Sequence, residues 1–121
     1  MKILICEDDK ITLKALKNKL KRDGYDIVTA SNGKEAITIL KDNDIDLLLT
    51  DLYMPFVDGL ELISLVRDEL KISIPIIVLT RDSIGKTIQN AFELGANDYI
   101  TKPFNPDELS LRVKCQLIRN K

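Results

Sequence analysis

Five times along the chain a short apolar run is followed by a stretch whose apolar residues recur at helical spacing, and few folds fit that alternation. The runs are Lys2–Cys6, Asp26–Ala30, Asp46–Thr50, Pro75–Leu79 and Asn97–Thr101. Three of them hold nearly unbroken Ile, Leu and Val, the composition of parallel strands covered on both faces. The intervening helical faces are Leu13, Leu16 and Leu20; then Ala36, Ile37 and Leu40; then Leu62, Ile63, Val66 and Leu70. Ile88, Ala91 and Phe92 mark the fourth, and Leu109, Val113 and Leu117 the fifth. Each helix has a candidate cap before it: Asp8 or Asp9, Ser31 or Asn32, Asp58, Asp82 or Ser83, and Asn105 ahead of Pro106. Gly24 and Gly95 stand where left-handed helix stops are wanted. Strand followed by helix throughout requires right-handed crossovers, hence a doubly wound α/β fold with helices on both faces of a parallel sheet. No linker or low-complexity tract interrupts the pattern, so residues 1–121 are expected to form a single domain.

Composition removes several classes of activity. The chain has no histidine, which excludes imidazole metal sites and Ser-His triads. A formal net charge of −1 provides no bulk field for nucleic acid. Lys10, Lys14, Lys17 and Lys21 do form a basic stripe on the first helix, but aromatic platforms are lacking, so a solvated face is expected there. Cys6 and Cys115 lie far apart among apolar neighbours and read as reduced thiols. Neither a signal peptide nor an apolar run approaching a membrane span is present, and a cytoplasmic protein is expected.

In a doubly wound sheet the working site lies beyond the carboxyl ends of the strands. The residues following the runs are Glu7-Asp8-Asp9, Asp51, Thr80 and Lys102-Pro103. With the first and third strands adjacent, Glu7, Asp8 and Asp51 share one pocket. Like charges about 4 Å apart repel by about 4 kcal/mol even at an effective dielectric of 20. Such a cluster needs raised pKa values or a cation, and an all-oxygen set with room for water and phosphate suits Mg²⁺, with Mn²⁺ as the other option. Hydrolase, phosphatase and phosphoacceptor all fit a metal-binding acidic pocket. Thr80 and Lys102 add a hydroxyl and an ammonium, the groups that phosphoryl oxygens need during transfer, and Asp51 is then the candidate nucleophile.

The stretches ILICEDD, DLLLTDLYMPFVDG, PIIVLT and GANDYITKPF, in this order and at these separations, resemble a receiver domain of two-component response regulators, of the CheY-like superfamily. The resemblance covers essentially the whole chain. It implies a (βα)5 flavodoxin-like three-layer sandwich with a five-stranded sheet in the order 2-1-3-4-5. It implies Asp51 as phosphoacceptor from the histidine of a partner kinase or phosphotransfer protein. Glu7, Asp8 and Asp51 would hold Mg²⁺, together with the backbone carbonyl of Tyr53. Thr80 and Tyr99 match the two switch positions, Lys102 the phosphate-binding lysine, and Lys102–Pro103 a cis peptide. In such a switch Thr80 turns towards the phosphoryl group, Tyr99 swings inward, and the surface of the fourth helix, fifth strand and fifth helix is remodelled.

Arg81 follows Thr80 where this family usually has a small residue, and Tyr53 and Asp82 also flank the attack path on Asp51. The guanidinium is expected to shield the acyl phosphate or to obstruct its donor, unless Asp82 holds it aside. The last helix carries a second apolar stripe, Leu111, Cys115 and Ile118, opposite the first. It is expected to meet a second copy or an output domain. The transcription-factor branch of the family dimerises on this face through charged pairs; Asp98, Glu108 and Arg112 match that pattern, whereas Ile88 replaces an expected basic residue. Two other readings stay open at this point: a Mg²⁺-dependent phosphatase working through an aspartyl phosphate, and a degenerate, constitutive interaction module. Tyr53 stands where the phosphatase would place a second acid, and the complete acidic, hydroxyl and lysine set argues against degeneracy. A flavodoxin would want Ser, Thr and Gly in place of Glu7-Asp8-Asp9.

Overall fold

The computed structural model describes residues 1–54, 56–81 and 85–119. Five strands, β1 (Lys2–Cys6), β2 (Asp26–Ala30), β3 (Leu47–Asp51), β4 (Ile76–Thr80) and β5 (Asp98–Thr101), form one parallel sheet in the order β2-β1-β3-β4-β5. Five helices alternate with them: α1 (Lys10–Arg22), α2 (Gly33–Asp42), α3 (Gly59–Ser64), α4 (Gly85–Leu94) and α5 (Pro106–Arg119). The doubly wound parallel sheet anticipated from the alternation is therefore present, with the flavodoxin-like layers and strand order that the resemblance implied.

Each strand sends alternate side chains to opposite faces, which makes two cores. Leu4, Leu48, Ile76 and Val78 meet α2, α3 with the turn that follows it, and α4 through Ala36, Leu40, Leu62, Ile63, Val66 and Ala91. Ile3, Ile5, Leu47, Leu49, Ile77 and Leu79 meet α1 and α5 through Leu16, Leu20, Leu109, Val113 and Leu117. Because β1, β3 and β4 are covered on both sides, they need unbroken aliphatic sequence.

The caps resolve the alternatives left by the sequence. Asp9, not Asp8, caps α1, accepting from the Thr12 amide at 3.2 Å, which leaves Asp8 free to face the strand ends. Asn32 caps α2 and Asp58 caps α3, accepting from the amides of Glu35 (2.9 Å) and Glu61 (2.8 Å). Asn105 caps α5 through the amides of Asp107 and Glu108. The Asp82 or Ser83 cap of α4 lies outside the described residues. Gly24 and Gly95 have φ of +97° and +122°, the left-handed conformation a helix stop requires.

Three details differ from the sequence reading. Asp51 and Thr80 are the last residues of β3 and β4 rather than the residues after them, because the ladders run one step further: Asp51 pairs with Leu79, and Thr80 with Thr101. The third helix does not continue regularly to Leu70. It widens into a π-helical turn, Leu65–Glu69, where the Leu70 amide bonds the Leu65 carbonyl at 2.9 Å. Phe92 is 42% exposed and leaves the core to Ala91, its ring meeting Tyr99 edge-on with centroids 6.2 Å apart.

Candidate functional site

The site forms where β1, β3, β4 and β5 end on the same side of the sheet. Glu7 directly follows β1 and is 1% exposed, Asp51 closes β3 at 7%, and Asp8 is exposed beside them. Carboxylate oxygens of these three residues lie within 4.8 Å of one another. Lys102, directly after β5, inserts its ammonium between two of them, 2.5 Å from Glu7 Oε1 and 3.0 Å from Asp51 Oδ2. A cavity of about 350 Å³ opens over this cluster, lined by Glu7, Asp8, Asp9, Asp51, Tyr53, Arg81 and Lys102.

The electrostatics follow from burial. Removal from water, with Asp51 as a carboxylate neighbour, pushes Glu7 up to about 7 despite Lys102. Burial works against the charge on Lys102, but its hydrogen bonds to Glu7 and Asp51 outweigh that and hold its pKa above the ordinary lysine value. Within the site one buried atom stays unsatisfied: Glu7 Oε2 has no hydrogen-bond partner among the described residues. A buried carboxylate oxygen without a donor is costly, and a cation supplies what is missing. Three clustered carboxylates with one orphaned oxygen fit a small, hard divalent ion.

The other anticipated residues are placed as follows. The Tyr53 amide approaches Asp51 Oδ1 at 3.4 Å, and its side chain is 59% exposed at the cavity wall. Thr80 is fully buried at the end of β4 and does not line the cavity. Tyr99 lies on the edge strand β5, half-buried against Phe92 and away from the cavity. The Lys102–Pro103 peptide is cis. Arg81 is exposed and lines the cavity, while Asp82 lies outside the described residues. On α5, Leu111 and Ile118 are 62% and 61% exposed and Cys115 is exposed with them. Arg112 is held within the chain, 2.8 Å from Asp98 and 3.6 Å from Glu108.

Two supporting residues escaped the sequence reading. A Cβ at Gly59 would lie 2.4 Å from the Asp51 carbonyl oxygen and 2.6 Å from Leu52 Cα, so α3 can start against the site only through a glycine. The Asp-Gly pair at the end of DLYMPFVDG is the signal that pointed there. Arg67 carries no signal of that kind: its guanidinium donates to the carbonyls of Ile72, Ile74 and Gly95 and to Asn97 Oδ1. Among the described residues no helix is long and apolar enough to cross a membrane.

Comparison with known proteins points one way. The family model for the response regulator receiver domain matches residues 3–114. The transcriptional regulatory protein CrdR of Helicobacter pylori is 41% identical over 113 residues, which cover 93% of this chain and 53% of that protein. The chain thus spans about half the length of the curated relatives it matches. A two-component response regulator from Clostridium difficile superposes with a TM-score of 0.94 at 33% identity, over 100% of this chain and 98% of that one. The receiver domain of Ssk1 from Saccharomyces cerevisiae, crystallised with the histidine phosphotransfer protein Ypd1, gives 0.93 at 28% identity, covering 99% and 90%.

Proposed function

Since the chain belongs to the response regulator receiver family, we propose that Asp51 accepts a phosphoryl group from a phosphohistidine on a partner kinase or phosphotransfer protein, and that residues 1–121 act as one receiver unit. The observation that carries this reading is the Lys102 ammonium, fixed between Asp51 and Glu7 beneath a cavity whose floor holds an orphaned carboxylate oxygen. A carboxylate already held by an ammonium has its nucleophile oriented and a cation waiting for one phosphoryl oxygen. Mg²⁺ would be held by Glu7, Asp8 and Asp51 with the backbone carbonyl of Tyr53, and when bound it supplies charge neutralisation for the phosphoryl oxygens. The resemblance of the receiver crystallised with a phosphotransfer protein supports a donor of that kind.

The chain's own residues divide the work. Lys102 moves from Glu7 and Asp51 towards the incoming oxygen. The Thr80 hydroxyl, buried at the end of β4, rotates to donate to a second one. Space left by Thr80 admits Tyr99, whose ring leaves Phe92 and changes the α4-β5-α5 face. There Leu111, Cys115 and Ile118 form the exposed apolar stripe that meets a second copy or an output domain. The ligand state that favours the inward Tyr99 is the one with phosphoryl oxygens for Thr80 to bind, and this differential contact drives the population shift.

Intact mass after incubation with Mg²⁺ and acetyl phosphate tests the reading. One added phosphoryl group on the parent, absent from Asp51→Asn and from a chelated control, is the expected result. An unmodified parent that also fails to bind beryllofluoride would overturn it in favour of a constitutive interaction module.

A further inference from the structure

Two cations line the cavity over Asp51, and the fold uses them differently. Lys102 is committed to Glu7 and Asp51. Arg81 lines the same cavity, is exposed, and among the described residues has no carboxylate within ion-pair distance. Strand register explains the difference. Thr80 pairs with Thr101, and the Lys102 amide donates to the Thr80 carbonyl at 2.9 Å, so Arg81 and Lys102 leave adjacent strands at one level. Lys102 turns down into the acids. Arg81 remains at the mouth, where it also borders an apolar recess of about 380 Å³ beside Ile11, Ala15, Pro103 and Phe104.

A phosphoryl donor is an anion, and the cavity it must enter sets four carboxylates, Glu7, Asp8, Asp9 and Asp51, against the single ammonium of Lys102 at its floor. The carboxylates outnumber the ammonium and oppose the donor's approach, and a guanidinium at the entrance, with no carboxylate partner among the described residues, offsets part of that repulsion where the donor arrives. The planar fork of N–H donors also matches two phosphoryl oxygens at once. We propose that Arg81 captures the donor's phosphoryl group at the cavity mouth and stays on it after transfer, speeding the loading of Asp51 and slowing the loss. This deepens the phosphoacceptor reading and rests on it. In loading from acetyl phosphate, the bond from phosphorus to the acetyl oxygen breaks. Acetate leaves with the electron pair, and phosphorus bonds to an Asp51 carboxylate oxygen. In the loss, water attacks phosphorus from the side away from Asp51, which is the side of the mouth. The electrons of the broken bond return to the Asp51 carboxylate, and both water protons leave on the phosphate. Arg81 covers that approach.

The test follows loading and decay by intact mass in Mg²⁺, over a series of acetyl phosphate concentrations and then after donor removal. Asp51→Asn is the control, and Arg81→Gln and Arg81→Lys are the variants. Arg81→Gln is expected to need about fivefold more donor for half-maximal loading rate, the size of one partly exposed charge-assisted contact. Its phosphoryl group should be lost about threefold faster, with Arg81→Lys between it and the parent. Arg81→Gln matching the parent within about twofold on either rate overturns the proposal. So does faster loading in Arg81→Gln, since the guanidinium would then be obstructing the donor. A parent that takes up no phosphoryl group overturns the phosphoacceptor reading, and this proposal with it.

Discussion

Arg67→Ala should unfold the chain far more readily while leaving the chemistry over Asp51 in place. The Arg67 guanidinium serves four acceptors in two separate connections. It reaches the carbonyls of Ile72 and Ile74 at 2.8 and 2.7 Å, the Gly95 carbonyl at 3.1 and 2.8 Å, and Asn97 Oδ1 at 2.9 Å. Asn97 Oδ1 in turn accepts from the Ile76 amide at 2.8 Å, tying both connections to the first residue of β4. At about 1.5 kcal/mol for each acceptor served by a charged donor, truncation forfeits about 6 kcal/mol gross. Arg67 is only half-buried, so water reaches part of the vacated space, and about 3 kcal/mol is the expected net loss. With an unfolding entropy of about 2.1 cal/mol/K per residue over this chain, that lowers Tm by about 12 °C. Circular dichroism in urea and on heating is the assay, since the chain has no Trp. Arg67→Lys keeps the charge and most of the stem but replaces the fork by a point donor, and should recover about 1 kcal/mol. A loss below about 1 kcal/mol for Arg67→Ala would refute the clamp. Below its lowered Tm the variant should still take up one phosphoryl group, because the clamp lies at the start of β4 and Asp51 at the far end of β3.

Three further outcomes follow from the site and its supports. Lys102→Met leaves Glu7 and Asp51 without their shared cation; in chelator it should lose about 3 kcal/mol of stability by urea unfolding, and Mg²⁺ should restore more to this variant than to the parent. Gly59→Ala drives a methyl into the Asp51 carbonyl and Leu52, so it should cost about 3 kcal/mol and slow phosphoryl uptake, both measured against Gly85→Ala, where a Cβ meets open space. Cys6 is fully buried and its thiol is pushed up to about 12, chiefly by burial, whereas Cys115 is exposed. Iodoacetamide should therefore add one label to the native chain and two in urea, and raising the pH from 7 to 9 should not bring Cys6 into reaction while the fold persists. The sign is that of a group whose ionised form is disfavoured in the fold. Its contribution to stability is intact below the ordinary thiol value and declines as pH rises through it.

What could be read in advance depended on how far along the chain each interaction reaches. Aliphatic β1, β3 and β4 announce burial on both faces, so the sheet and its two helical layers were legible residue by residue. The rule that strand ends face the site then put Glu7, Asp8, Asp51 and Lys102 together before any geometry was known; the three carboxylates do lie within 4.8 Å of one another, and the Lys102 ammonium sits between those of Glu7 and Asp51. The misplacements are local and have local causes. Asp51 and Thr80 belong to their strands because pairing is decided by the neighbouring strand, which composition in a single run does not report. Phe92 obeys helical spacing but faces the edge strand, where the Tyr99 ring meets it, and stays 42% exposed. Arg67 was illegible for a deeper reason. Its partners are chiefly backbone carbonyls up to 28 residues away, and a carbonyl carries no side-chain identity. The π-helical turn around Arg67 was hidden in the same way, since Leu65–Glu69 has the composition of any helical turn. A chain like this therefore shows its chemistry more openly than its scaffolding: reactive groups must be particular side chains, whereas the clamps that hold them answer to the backbone.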